Sequence, residues 1–351
     1  MIGGGVIGLS LAWELRQRSV AVLLVERGEL GEEASSAAGG MLAWCDPHLP
    51  QAARGLAALS SSRYAEFVGT IEDASGISAD LRRFGTVVVN EDPPAAMAAE
   101  CRSLDHAELA TLEPELKVAA SSSAQWWPEW SVDPRRLVTG LIATCRQRGV
   151  EIVTGTQVSH VTSEGNRARG VRASSAMFHS ENVVNCAGAW AGEITCAAFQ
   201  PATRPVKGQM LALQADCLRH VVRSADVYLI PRSDGQIVVG ATLEEAGYDK
   251  TSHPDAIERL RHAALKLVPA LARARVLHVW AGLRPGSPDG APIIGATSLP
   301  GYFVATGHFR DGILLAPGTA HAMDRLLNGE HCPEIAGLTP ERFLAAESLK
   351  N

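Results

Sequence analysis

The chain has 351 residues, of which 46% are hydrophobic and 20% are charged. These values are typical of a soluble globular protein of about two domains, and they exclude a disordered or fibrous chain. Asp and Glu number 38 against 32 Lys and Arg, which gives a net charge of −6 without a long basic cluster. Nucleic acid is therefore not an expected partner.

Membrane and metal signals are also missing from the sequence. The longest aliphatic runs, such as residues 20–25, are far shorter than the about 20 residues that a membrane span requires. The N-terminus has no basic segment before an apolar one, so we expect a cytoplasmic protein. The seven cysteines are scattered without a Cys-x-x-Cys pair, which predicts buried thiols in a reducing compartment and no metal site.

A glycine pattern opens the chain, with Gly3, Gly5 and Gly8 in the spacing Gly-x-Gly-x-x-Gly. Helix-forming residues follow, then a buried strand at residues 20–25 and then Glu26. Glycines at this spacing allow a tight turn and let the backbone approach a pyrophosphate at a helix N-terminus. A carboxylate at the end of the second strand can accept hydrogen bonds from a ribose. This order predicts dinucleotide binding.

The first strand of such a fold is short in this chain. A doubly wound sheet normally begins with a strand of about five residues. Only Met1 and Ile2 precede Gly3. The sequence therefore predicts a central strand that is nearly absent, and it leaves open a truncated protein that binds a dinucleotide poorly or not at all.

The remaining pattern predicts alternating helices and strands. Helices are expected at residues 54–76, 135–148 and 256–267, with a last helix running towards Leu327. Strands are expected at residues 84–90, 276–280 and 302–306, and residues 204–242 are typical of an antiparallel sheet. Three more segments are predicted to return to the first sheet: residues 151–158, 170–173 and 182–186.

Four segments resemble FAD-dependent amine oxidoreductases of the D-amino-acid oxidase superfamily, and most closely the glycine oxidases of thiamine biosynthesis. They are residues 1–27, 35–42, 280–290 and 307–317. The resemblance implies a mixed α/β fold (α+β) in which a Rossmann-like FAD-binding domain is interleaved with an antiparallel-sheet substrate domain. The FAD domain would take residues 1–76, 135–203 and 284–340. The substrate domain would take residues 77–134 and 204–283.

The resemblance also implies which residues surround non-covalent FAD. The ADP half would contact the glycine motif and Val6, Ile7, Glu26, Arg27, Ala34 and Ser35, with Val158 beside the adenine. The isoalloxazine would lie along Gly39, Gly40 and Met41, where small side chains let the backbone approach a flat ring. The family usually has alanine at the position of Gly39.

The segment at the start of the last helix is implied to face the pyrimidine edge of the flavin. It comprises His308, Phe309, Arg310, Asp311, Gly312, Ile313 and Leu314. A positive helix end there would stabilise negative charge on reduced flavin. The family commonly has asparagine at position 311, so we expect the Asp311 carboxylate to cap the helix or point to solvent.

Three residues are implied to form the catalytic site. The guanidinium of Arg284 matches an amino-acid carboxylate bidentately, and the hydroxyl of Tyr228 would add a hydrogen bond. Arg310 would lie at the mouth of the site. Asp226 and Leu243 occupy positions where the family varies, and they are expected to tune which amine fits.

The resemblance implies oxidative deamination of glycine, with hydride transfer to the flavin and reoxidation by O₂ to give H₂O₂. The partners would be a small amino acid and O₂, with handover of the glycine imine to thiazole synthase and assembly into a homo-oligomer. A D-amino-acid or sarcosine oxidoreductase, or a cyanide-forming glycine dehydrogenase, remains an alternative. An FAD-deficient truncated homologue is a further alternative.

Overall fold

A computed structural model describes residues 1–174 and 176–343 of the chain. Its α-helices are α1 (Val6–Gln17), α2 (Ala34–Ala37), α3 (Arg54–Ser75), α4 (His106–Leu112), α5 (Pro134–Gln147), α6 (Pro254–Leu267) and α7 (Gly312–Leu327). The predicted helices are confirmed to within two residues at most ends. The sequence signals act as expected: Gly76 ends α3 in a left-handed conformation (φ 70°), and Asp133 caps α5 by accepting from Arg135 N–H at 2.9 Å.

Eighteen strands lie within the described residues. They are β1 (Leu23–Val25), β2 (Met41–Leu42), β3 (Thr86–Val89), β4 (Arg102–Leu104), β5 (Ala124–Trp127), β6 (Trp130–Ser131), β7 (Glu151–Val153), β8 (Val158–Glu164), β9 (Arg167–Ala173), β10 (Met177–His179), β11 (Val183–Asn185), β12 (Arg204–Gln214), β13 (Val221–Arg223), β14 (Tyr228–Pro231), β15 (Gln236–Gly240), β16 (Arg275–Gly286), β17 (Ile293–Ala296) and β18 (Tyr302–Thr306).

The parallel sheet has Ile2 at its centre. Strands β1 and β7 run parallel on one side, and β11 and β18 run parallel on the other. Ile2 joins the two halves by single parallel bridges to Val25 and Asn185. Its N–H donates to Val184 O at 2.9 Å, and its carbonyl accepts from Cys186 N–H at 2.8 Å. The expectation of a nearly absent central strand is confirmed.

One part of the strand prediction is wrong. Strands β7 and β11 do enter the parallel sheet, but β8, β9 and β10 form a separate three-stranded antiparallel sheet. The predicted segment at residues 151–158 is divided by a turn in which Gly155 has φ 63°. A left-handed residue cannot continue a strand, so the chain changes direction and enters a different sheet.

The eight-stranded sheet has the order β16-β12-β15-β14-β13-β3-β5-β4. The predicted antiparallel pairing over residues 204–242 is confirmed, although β13 runs parallel to β3. All eight strands come from residues 86–127 and 204–286. This grouping is compatible with the interleaved arrangement expected from the sequence, and the domain boundaries stay a prediction.

Two further expectations concerned buried cysteine thiols and the absence of a membrane-spanning segment. All seven cysteines lie in the described part of the chain as free thiols, four of them buried and three half-buried rather than fully buried. Among the helices described for residues 1–174 and 176–343, none combines the length and apolar character needed to cross a membrane.

Helix α7 contains Pro317, and α3 compensates for it. Proline lacks the N–H that would normally reach the carbonyl of Ile313. The hydroxyl of Tyr64 on α3 donates to that carbonyl at 3.0 Å instead. Ser60 accepts from Gly318 N–H at 3.0 Å and donates to the carbonyl of Leu314. These bonds satisfy the interrupted helix and hold its first turn against α3.

We expect Tyr64→Phe to lower the free energy of unfolding by about 1–3 kcal/mol, because it leaves the buried Ile313 carbonyl without a donor. The measurement is the denaturant midpoint of the purified protein. Tyr248→Phe removes a more exposed hydroxyl, which donates to Ala189 O at 3.3 Å, and serves as the control. Equal midpoints for the two variants would contradict the compensation.

Candidate cofactor and substrate site

A single cavity of about 720 Å³ runs from the glycine motif to the eight-stranded sheet. Every residue that the sequence assigned to the cofactor or the substrate lines this cavity, except Gly8 and Leu314. A Cβ at Gly8 would stand 2.1 Å from the carbonyl oxygen of Gly3, so this glycine packs α1 against the turn. Leu314 is buried in the core. Its side chain therefore does not face the cavity.

The nucleotide half of the cavity is built on the first turn of α1. Gly5 precedes the helix in an extended conformation and provides no side-chain cap. Val6 N–H donates to Ser35 Oγ at 2.9 Å, and the first intrahelical bond joins Leu9 N–H to the Gly5 carbonyl. The N–H groups of Ile7 and Gly8 are therefore not used inside the helix, which suits an anion such as pyrophosphate.

Glu26 fixes the backbone around the predicted ribose position. One carboxylate oxygen accepts from Gly4 N–H at 2.7 Å, and the other accepts from Gly28 N–H at 2.9 Å. Each oxygen keeps a lone pair, so the carboxylate can still accept from ribose hydroxyls. Glu26 thus also has a structural role, holding the backbone at Gly4 and Gly28, which the sequence pattern did not indicate.

The loop predicted to run along the isoalloxazine depends on two glycines. Gly40 has φ 81°, and a Cβ there would stand 2.1 Å from the carbonyl oxygen of Val132. At Gly39, where the family has alanine, a Cβ would stand 2.8 Å from Ile230 Cδ1. The buried Arg232 donates to the carbonyls of both Gly39 and Val132, which fixes the loop in place.

The first turn of α7 borders the same part of the cavity. Leu315 N–H makes the first bond of the helix, to the Asp311 carbonyl at 2.8 Å, so earlier N–H groups of this turn are available to a ligand. His308 is buried, and its Nε2 shares a hydrogen bond with Thr319 Oγ1 at 3.1 Å. Burial lowers the pKa of His308 to about 3. It is neutral and structural rather than a general base.

The expectation for Asp311 is wrong. Its carboxylate makes no capping hydrogen bond to α7 within the described residues, and its half-buried side chain lines the cavity instead of pointing to bulk solvent. Burial raises the pKa of Asp311 to about 7, and the nearby Asp46 carboxylate acts in the same direction. A carboxyl that is partly neutral would repel the negative charge of a bound, reduced flavin less than an ionised one would.

In the substrate half, Arg284 on β16 and Tyr228 on β14 both line the cavity, although β12 and β15 lie between their strands in the sheet. Arg284 Nη1 donates a hydrogen bond to the Thr242 carbonyl at 3.1 Å. Its guanidinium lies against Gly208, where a Cβ would come within 2.2 Å of Nη1. Burial raises the pKa of the Tyr228 phenol, so the hydroxyl stays protonated and can donate to a carboxylate. Both residues line the cavity.

Residues at the mouth of the cavity are more exposed. The guanidinium of Arg310 lies 5.5 Å from the centroid of the Phe309 ring, and Phe309 has φ 47°. Asp226 and Leu243 line the same opening, and Leu243 is 66% exposed. Their placement is compatible with the expected influence on substrate choice, which stays a prediction.

Sequence reasoning missed a charged group in the cavity wall, centred on Arg223. This residue is 6% exposed, and within the described chain its guanidinium nitrogens have no hydrogen-bond partner. Carboxylates of Asp46, Glu91 and Glu129 lie 3.5–3.7 Å away. Burial raises the pKa of Glu129 to about 7. The four residues come from separate segments, so their spacing in the sequence carries no signal.

Comparisons with known proteins agree on one family. The chain is 34% identical to a glycine oxidase of Pseudomonas aeruginosa, with 94% of each protein covered. It is 31% identical to the hydrogen cyanide synthase subunit HcnC of the same species, with 97% and 95% covered. It is 33% identical to the bifunctional protein ThiO/ThiG of Synechocystis, covering 98% of this chain and only 54% of that protein. The chain thus spans about half the length of that relative.

Solved structures show the same fold. A glycine oxidase of Geobacillus kaustophilus has a TM-score of 0.89 and 26% identity, and one of Bacillus cereus has a TM-score of 0.87 and 28% identity. Each comparison covers 96% of both chains. The family model described as "DAO: FAD dependent oxidoreductase" matches residues 1–326. Together with the nucleotide half and the flavin-side loop, these findings show that the chain belongs to the DAO family of FAD-dependent oxidoreductases.

Proposed function

We propose that the protein oxidises glycine and other small amino acids with non-covalent FAD, O₂ accepting the electrons to give H₂O₂. The observation that carries this proposal is the pair of Arg284 and Tyr228, which lines the substrate half of the cavity with donors available for a carboxylate. Several full-length relatives named glycine oxidase support the same substrate class.

The residues of this chain would position the substrate rather than carry out the redox chemistry. Bound FAD supplies the two-electron acceptor for amine oxidation. Arg284 offers its remaining donors to the substrate carboxylate, and the protonated Tyr228 adds one more. Because Gly208 and the Thr242 carbonyl fix the guanidinium, the carboxylate would be held in one orientation. Residues Gly39 to Met41 would then hold the cofactor on the facing side.

The imine product can hydrolyse to glyoxylate and ammonia. We propose that it also supplies thiazole synthase in the cytoplasm, in thiamine synthesis. A relative that carries ThiO and ThiG on one chain supports a link of this kind.

The test is H₂O₂ formation in aerated buffer with glycine, sarcosine and D-alanine. We expect peroxide in step with substrate consumption, and glycine to be among the accepted substrates. Glycine-dependent reduction of an artificial electron acceptor without peroxide would favour the second candidate, a glycine dehydrogenase like HcnC. Consumption of D-alanine or sarcosine but not glycine would contradict both candidates.

A further inference from the structure

Residues 244–253 lie in the connection between β15 and α6. They cross from the eight-stranded sheet to the nucleotide half of the cavity. We call them the strap. The strap is attached to β12 at both ends. Glu244 and Lys207 exchange backbone hydrogen bonds at 2.9 Å in each direction, and His253 N–H donates to Gln209 Oε1 at 2.6 Å. The strap is thus fixed at its base.

A buried cation anchors the middle of the strap. Lys207 is fully buried, and its ammonium donates to Asp249 Oδ2 at 2.7 Å. This contact lowers the pKa of Asp249. A buried ammonium is costly without a partner, so the pairing favours the one strap conformation in which Asp249 reaches it. Asp249 in turn accepts from Thr251 N–H at 2.9 Å, which shapes the following turn.

The tip of the strap packs on residues of the nucleotide half. The Tyr248 ring stacks on Trp190 with centroids 5.3 Å apart and planes at 25°. The guanidinium of Arg27 also lies over the Trp190 ring, 3.5 Å from its centroid. Lys250 Nζ lies 3.2 Å from Glu33, which also binds Arg27 at 2.9 Å. The three partners Arg27, Glu33 and Trp190 all line the cavity.

We propose that the strap closes the nucleotide half of the cavity and limits the rate at which FAD leaves. The cofactor would not withdraw past Arg27 and Trp190 while Tyr248 holds Trp190 and Lys250 holds Glu33, the partner of Arg27. Lys207 acts as a positioning residue, because it reaches the strap and not the cavity. This inference concerns FAD retention and does not depend on which amine is oxidised.

The experiment measures FAD release from the holoenzyme. Protein loaded with FAD is mixed with a large excess of 5-deaza-FAD, and FAD in the filtrate is quantified over time by chromatography. We expect the double variant Tyr248→Ala, Lys250→Ala to release FAD about tenfold faster than the wild type, since it loses a ring stack and an ion pair. Lys266→Ala, an exposed lysine on α6, should release FAD at the wild-type rate.

A second measurement separates the strap from general destabilisation. The unfolding midpoint of the apoprotein should be the same for the double variant and the Lys266→Ala control, because Tyr248 and Lys250 are exposed. The anchor variant Lys207→Met should accelerate release as well. If that variant does not fold, the double variant alone decides. A double variant that releases FAD at the wild-type rate, or that releases it faster only because the apoprotein midpoint has fallen, would overturn the proposal.

Discussion

Replacing Arg284 with alanine is expected to lower kcat/KM for glycine by roughly thirtyfold to a thousandfold while FAD stays bound. The substitution removes the guanidinium that, together with Tyr228, offers hydrogen-bond donors to a carboxylate in the substrate half of the cavity. Loss of one partner from a buried charge pair costs about 2–5 kcal/mol, and the expected range corresponds to about 2–4 kcal/mol of that cost. The measurements are steady-state peroxide formation at varied glycine concentration and the flavin absorbance of the purified variant.

A matched control lies on the same strand. Arg275 is exposed at the other end of β16 and contacts Gln214 Oε1 at 2.9 Å. Arg275→Ala should leave kcat/KM unchanged. Equal kinetics for Arg284→Ala and the wild type would show that the substrate carboxylate is bound elsewhere, whereas loss of flavin from Arg284→Ala would indicate a structural role.

Glu26→Gln is expected to raise the dissociation constant for FAD roughly tenfold to a hundredfold. Both carboxylate oxygens accept from backbone N–H groups, of Gly4 and Gly28. Glutamine replaces one oxygen with an NH₂ group, so two donors would face each other and one N–H would lose its acceptor. An unsatisfied buried donor costs about 1–3 kcal/mol. The measurement is titration of apoprotein with FAD, followed by flavin fluorescence.

Glu32→Gln is the control for the charge change at Glu26. Glu32 is exposed six residues further along the chain, and its replacement removes the same negative charge without a buried contact. We expect FAD to bind this variant with the wild-type dissociation constant. If both variants bind FAD equally well, the backbone contacts of Glu26 do not organise the nucleotide site.

Local patterns could indicate which residues of the nucleotide half lie close together, because these residues are close in the sequence; their contacts with FAD stay a prediction. Gly3, Gly5 and Gly8 lie in one turn, and Glu26 follows the next strand, so spacing alone indicated their position. The separate sheet of β8 to β10 was missed because short polar strands do not indicate which partners they will pair with. Sequence pattern reports the period of a strand and not its neighbour.

The charged group around Arg223 could not be predicted for a related reason. Arg223 ends β13 and Glu91 follows β3. These two strands are far apart in the sequence, and only their parallel pairing in the sheet brings the two residues together. Asp46 and Glu129 come from two further loops. The surroundings of Asp311 could not be predicted for the same reason, because only the fold brings Asp46 close enough to influence its carboxyl.

The parallel sheet also constrains the order in which the protein can be completed during synthesis. Ile2 is flanked on one side by Val25 and on the other by Asn185, and β11 in turn is flanked by β18 at residues 302–306. Pairing between such distant segments must wait until the later one has left the ribosome. The nascent chain therefore holds an open-edged sheet until about 300 residues have emerged. The edge of β11 that stays unpaired until then is where aggregation would begin.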